Sequence, residues 1–192
     1  VTAGVRAEQT TYDYDNRVSA GDACESGVQN CRFFRPADRS DSFIAWSPKF
    51  GVLHQVDEQQ SAYLNLLQSY RAPQATELYR LQNGQQVADL DIEQLRSLEI
   101  GYRGHFEATR LNIALFAMQK DNVIFQDTNR QNISDGQSEH QGIELELTQT
   151  LTPTLTARLS GTYARHRYAN DITISQLAIN GNDIDTAPRR II

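Results

Sequence analysis

No stretch of this sequence is apolar for the roughly 18 residues that a membrane helix needs. The longest such run, Leu111 to Met118, is interrupted by Asn112. An excess of basic residues is also missing. There are 24 acidic against 18 basic side chains, a formal charge of −6, so the basic stripe of a nucleic-acid binder is absent and no nucleic-acid partner is expected. Histidine is sparse. His54, His105, His140 and His166 are scattered, without metal-ligand spacing. No glycine-rich phosphate loop is present, and no nucleophile stands beside a base. Asn180-Gly181-Asn182-Asp183-Ile184-Asp185 lacks the residue order and the distant Glu of a calcium loop. Glu144 and Glu146 are neighbours on one strand face rather than an acid/base pair. No catalytic residue, cofactor or metal is expected, and an enzyme is the least supported class.

The opening Val1-Thr2-Ala3-Gly4 does not resemble a signal peptide, and Pro188-Arg189-Arg190-Ile191-Ile192 starts a strand and stops. These ends suggest a piece of a longer protein. Only two cysteines occur, Cys24 and Cys31, close together in a polar loop. In an oxidising compartment they would staple that loop; in a reducing one they would be free thiols. Without a nearby histidine they make a poor zinc site.

What the sequence does contain is alternation. Residues 1–12 place Val1, Ala3, Val5 and Ala7 in one phase, and Thr2, Arg6, Glu8 and Thr10 in the other. That is the period of a strand. Further strands are expected near 42–54, 61–71, 95–103, 109–120, 139–150 and 155–166, with an eighth beginning after 186. The clearest is the sixth, where Ile143, Leu145 and Leu147 alternate with Gly142, Glu144, Glu146 and Thr148. In the fifth, Phe116 and Met118 fall on the polar side as exceptions. Long polar connections are expected at 13–39, 72–94, 121–138 and 169–186. Short turns are expected at 56–60, at Gly104-His105 and at 152–154.

In an antiparallel up-and-down meander this alternation of connections gathers the long loops at one end and the short turns at the other. The charges keep almost entirely to one phase. A soluble β-sandwich also alternates, with its apolar phase inward. Loop asymmetry and polar-face chemistry favour an outer-membrane barrel, which has an apolar outside and a polar lumen. Arg or Lys on the lipid face costs about 2–4 kcal/mol at mid-bilayer. This fixes an expected register, with Arg6, Lys49, Glu99, Arg103, Glu144, Glu146 and Arg158 toward the lumen.

Tyr70-Arg71-Ala72-Pro73 followed by Glu77-Leu78-Tyr79 resembles the Phe-Arg-Ala-Pro and Glu-Leu-Tyr signature of TonB-dependent outer-membrane receptors. Ser97-Leu98-Glu99-Ile100-Gly101 resembles the next strand of that barrel. Trp46-Ser47-Pro48-Lys49-Phe50-Gly51, Asn132 through Gly142-Ile143-Glu144, and Ala187-Pro188-Arg189 fit in the same order. The resemblance implies an all-β fold in which residues 1–192 are part of a transmembrane barrel of about 22 strands. An N-terminal plug domain and the remaining strands would lie outside this chain. It implies a Gram-negative outer-membrane location, lipid contact, and uptake energised by the TonB complex through a segment not in this chain. The cargo would be a scarce ligand, with a small-molecule iron complex such as a ferric siderophore expected. Haem receptors of this family carry a histidine after the Arg-Ala-Pro motif, before an Asn-Pro-x-Leu motif. Residues 74–94 contain no histidine, and Ala88-Asp89-Leu90 stands where the second motif would be, which disfavours haem. A passive porin would alternate similarly but lack the ordered motifs.

Ligand contacts are expected from the long loops. Tyr79, Arg80, Phe125, Asp127, Asn129 and Arg130 are the candidates, because arginine and aromatic rings suit an anionic, catechol-like complex. The alternative is that these residues only roof the loops. Arg71 and Glu77 are expected to hold the loop base.

Overall fold

A computed structural model describes residues 1–22, 24, 31–127 and 129–169. Among the described residues, each of the seven alternating stretches is a strand. The described elements are β1 (Thr2–Tyr14), β2 (Gly21–Asp22), β3 (Phe33–Arg35), β4 (Arg39–Gln55), β5 (Gln60–Arg71), α1 (Ala75–Tyr79), β6 (Leu81–Gln82), β7 (Glu93–Phe106), β8 (Thr109–Gln126), β9 (Asn132–Thr152) and β10 (Leu155–Tyr168). Seven of the strands form one antiparallel sheet in the order β1-β4-β5-β7-β8-β9-β10, and β2-β3-β6 form a second, small one. The large sheet is an open meander. The expected eighth strand, the 169–186 loop beyond Ala169 and the Asn180–Asp185 motif lie outside the described residues.

The register carries the argument about faces. Pairings Arg6↔Ser47, Lys49↔Leu67, Asn65↔Glu99, Arg103↔Asn112, Asn112↔Glu146 and Ser160↔Glu146 place Arg6, Lys49, Glu99, Arg103, Glu144, Glu146 and Arg158 on a single face. Arg158 Nε donates to Glu146 at 3.0 Å, and Asn112 donates to the same carboxylate at 3.3 Å. The opposite face carries an apolar belt left open to its surroundings: Ile44, Trp46, Ile100, Leu115 and Leu159 are each at least half exposed. A sandwich would cover that face with a second sheet; among the described residues none does. The belt ends toward the loops at the row Gln68–Arg96–Gln119–Glu139–Arg167. There Arg96 pairs with Asp121, and Arg167 with Glu139 at 2.9 Å. Charges in that phase gather where the belt stops, with Arg165 one row inside it, paired with Gln141.

Phe116 and Met118 do sit on the polar face. Phe116 lies over Gly142 of the neighbouring strand, where an added Cβ would meet its ring at 2.7 Å. The glycine makes room for a ring that polarity alone would not place there.

Three expectations change. The 121–138 loop is mostly strand, because β8 runs to Gln126 and β9 starts at Asn132. Its polar sequence hid this: irregularities in the pairing between Lys120 and Phe125 break the two-residue period, and Asn122 takes φ 56°. The turn expected at Gly104-His105 falls later, after Phe106, with Glu107 at φ 37°. The 72–94 excursion is itself folded. It holds α1 and β6, and buries Leu78, Leu81, Ala88 and Leu90, the hydrophobic core among the described residues.

Candidate functional site

The excursion folds over the polar face of the sheet. Arg71 of β5 and Glu93 of β7 belong to that phase and clamp its two ends. The Arg71 guanidinium grips Glu93 with two bonds of 2.7 Å, and reaches Glu77 of α1 at 3.0 and 3.2 Å. Glu77 also accepts the Gln74 N–H at 2.7 Å, tying down the first turn of the short helix. Arg71 and Glu77 therefore hold the loop base. On the far side, Asn132 donates to the Glu77 carbonyl at 2.7 Å, and Ser134 accepts the Asp91 N–H at 2.9 Å. These buried polar residues of β9 read as loop in the sequence because their partners lie on another segment.

The last residue of α1, Tyr79, is thereby pressed against β1 and β4. Its ring stacks on Tyr14, with centroids 4.6 Å apart and planes 13° from parallel, and meets Tyr12 edge-on at 6.3 Å. Its hydroxyl donates to Asp41 at 2.8 Å. Burial, and then the bond to Asp41, push the phenol well above its ordinary pKa. Tyr79 therefore stays protonated and offers a ring rather than a phenolate. Next to it, the Arg80 guanidinium lies over the Phe33 ring at 4.5 Å, and Arg32 approaches the same ring at 5.1 Å. An open, mostly apolar concavity results, lined by Tyr14, Phe33, Phe34, Arg35, Tyr79 and Arg80. Flat rings and guanidinium groups around one hollow suit a planar, anionic, aromatic ligand.

Of the residues singled out from the sequence, Tyr79 and Arg80 line this hollow and the others do not. Phe125 packs near Gly136 and pairs with Ile133. Asp127 builds its own turn, accepting the N–H groups of Asn129 at 2.8 Å and Gln131 at 2.7 Å. Arg130 sits in the left-handed region at φ 62° within that turn. Gln131 then donates to the Gly84 carbonyl at 3.3 Å, so the hairpin tip leans on the excursion. The sequence reading missed Tyr14, Phe33, Phe34 and Arg35. Arg32-Phe33-Phe34-Arg35, two rings flanked by arginines inside a polar loop, was the available signal. Cys24 and Cys31 are joined by a disulfide with Cα atoms 5.4 Å apart, just before this segment. The histidines are less scattered than their spacing suggests. His140 and His166 are cross-strand partners with their Nδ1 atoms 2.7 Å apart.

The family model described as "TonB dependent receptor-like, beta-barrel" matches residues 1–192. Among solved structures, the ferric-catecholate import receptor Fiu of E. coli K12 superposes with a TM-score of 0.64 at 20% identity, covering 94% of this chain and 27% of that one. The copper transporter OprC superposes with a TM-score of 0.71 at 15% identity, covering 88% and 27%. The FrpB iron transporter of Neisseria meningitidis gives 0.59 at 18% identity, covering 72% and 22%. The chain thus spans about a quarter of the length of these structures, and the likeness is one of fold. No match is found among curated proteins. Together with a register that gathers the charges on one face, and apolar residues on the other, the match over the whole sequence shows that the chain belongs to the TonB-dependent receptor β-barrel family.

Proposed function

We propose that this chain is part of an outer-membrane receptor that takes up a ferric siderophore of catecholate character. The observation that carries the reading is the hollow of Tyr14, Phe33, Phe34, Arg35, Tyr79 and Arg80 at the long-loop end. Aromatic faces would stack on catechol rings, and the two arginines would offset the negative charge of the iron complex. Fiu, a ferric-catecholate import receptor, FrpB, an iron transporter, and FyuA, a ferric yersiniabactin uptake receptor, support an iron cargo by analogy of fold. In this reading residues 1–192 contribute seven strands and the start of an eighth to a barrel of about 22 strands. A plug domain and the other strands complete it, outer-membrane lipid surrounds it, and the TonB complex supplies the energy. Phe125, Asp127, Asn129 and Arg130 shape the neighbouring hairpin tip and act as the rim of the entrance.

The test is binding of a ferric catecholate to the full-length receptor, followed by quenching of its intrinsic fluorescence. Arg80→Ala combined with Phe33→Ala removes a cation–ring contact and a stacking face, each worth about 1–2 kcal/mol when desolvated. Binding should weaken by about tenfold or more, while Asn129→Ala should have a smaller effect. Unchanged affinity in the double variant would overturn the assignment of this hollow.

A further inference from the structure

The row Ser97–Met118–His140–His166 crosses four neighbouring strands on the lumen face. It stands four residues along β5 and β7 from the Arg71–Glu93 clamp, about 13 Å at strand spacing, so it belongs to the barrel wall rather than to the loop hollow. Within it the two imidazoles meet Nδ1 to Nδ1 at 2.7 Å, their rings tilted by 54°. The far nitrogen of His140, Nε2, lies 3.0 Å from Ser138 Oγ. With Nε2–H donating to that hydroxyl, His140 Nδ1 holds a lone pair aimed at His166. The contact then rests on one shared proton, which His166 supplies.

We propose that His140, His166 and Met118 form a site for a soft monovalent metal ion, copper(I), on the lumen wall. The ion takes the place of the shared proton, and His166 moves its N–H to Nε2. No electron is transferred and both rings stay neutral. Two imidazole nitrogens bonded at about 2.0–2.1 Å around a tetrahedral ion stand about 3.3 Å apart. The pair needs to open by roughly 0.6 Å, which side-chain rotation supplies without moving the strands. Met118 is the cross-strand partner of His140 on its other side, and side chains so paired on one face stand within reach of each other, which makes its thioether the third donor of the proposed set. Among the described residues no three His, Cys, Asp or Glu side chains gather, which leaves a nitrogen–nitrogen–sulfur set. Imidazole with thioether suits copper(I), while carboxylate-loving ions find no oxygen cage here. Ser138 fixes the tautomer of His140 from outside the ligand set, the usual role of such a partner.

The experiment is a competition titration of the full-length receptor with copper(I) against a chromogenic chelator, under reducing, oxygen-free conditions. His140→Gln and His166→Gln should each lower the affinity at least tenfold, and Met118→Leu severalfold. Ferric-catecholate binding at the separate hollow should stay unchanged in all three, which also reports that they fold. A second measurement needs no variant. On the wild-type receptor, copper(I) should slow diethyl pyrocarbonate modification of His140 and His166, but not of His54 and His105, as located by mass spectrometry. Equal copper affinity in wild type and the histidine variants, or modification unaffected by copper, would overturn the site. Either result would leave the siderophore reading standing.

Discussion

Arg71 does with one side chain what the loop base requires. Its fork holds Glu93, which also accepts the Ile124 N–H at 2.9 Å, and it holds Glu77 of α1. These groups stand beyond the apolar belt, outside the membrane-crossing part of the strands. Lysine cannot reproduce that fork, since an ammonium lacks the planar paired donors. In Arg71→Ala the mostly buried Glu93 carboxylate loses its main partner, at a cost of about 1–3 kcal/mol; the partial exposure of Arg71 keeps it from being larger. Amide exchange in residues 74–92 of the full-length protein should speed up accordingly, while β8 and β9 below the clamp keep their protection. Burial by itself would raise the Glu93 pKa, but the hydrogen bonds from Arg71 and from the Ile124 N–H outweigh it, and the net direction is down. A carboxylate depressed on folding stabilises the fold above its unfolded pKa, about 4.3. That contribution is lost as pH falls through the lower folded value. Protection of the excursion, corrected for intrinsic exchange, should therefore hold from neutral pH to about 5 and decline below about 4. Arg71→Ala should flatten that decline; an unchanged profile in the variant would sink the clamp.

At the level of elements, close approach decides what alternation leaves open. An added Cβ at Gly142 of β9 would come within 2.5 Å of the Tyr163 carbonyl of β10 and 2.7 Å of the Phe116 ring. The ring can swing away, but the carbonyl is part of the sheet. Gly142→Ala should destabilise the β9–β10 pairing by about 1–3 kcal/mol, read as a lower urea midpoint in lipid vesicles. Restoring space with Phe116→Ala should not recover it, whereas full recovery would show that only the ring was crowded. The same distinction explains what could be read from sequence. The phase of Ile143, Leu145 and Leu147 against Glu144 and Glu146 was legible because each strand faces two unlike media. Asn132 and Ser134 belong to strand as well, but they are buried against the folded excursion, so their polarity imitates a loop. Tyr79 and Arg80 were visible through the Glu-Leu-Tyr motif. Tyr14 and Phe33 were not, because their value depends on a helix, Ala75–Tyr79, that arrives from a distant segment of the chain. The His140–His166 contact was hidden for the same reason, since register rather than spacing creates it.

For the whole molecule the decisive property is that the two faces of one sheet meet different surroundings. Ala114 and Leu115 are adjacent on β8 and point to opposite sides. Ala114 is the cross-strand partner of Glu144 in the charged phase, while Leu115 pairs with Ile100 and Ile143 inside the apolar belt. In a membrane barrel Leu115→Arg would put a guanidinium among lipid chains near the middle of the belt, a cost of about 2–4 kcal/mol. Ala114→Arg puts the same group beside Glu144 on the polar, charged face, where surface-type pairing brings it within about 1 kcal/mol of neutral. The two variants introduce the same side chain at adjacent positions, so its own size and charge are common to both. The barrel predicts that Leu115→Arg unfolds at lower urea in vesicles and accumulates less in the outer membrane, while Ala114→Arg stays close to wild type. A water-soluble sandwich with the apolar face inward would penalise Leu115→Arg as well, through a buried charge, but without any dependence on lipid. Repeating the unfolding in bilayers of different thickness separates the two. In the barrel the Leu115→Arg penalty grows as the hydrocarbon layer thickens and the arginine reaches the interface less easily. A penalty independent of thickness would count against lipid contact at this face.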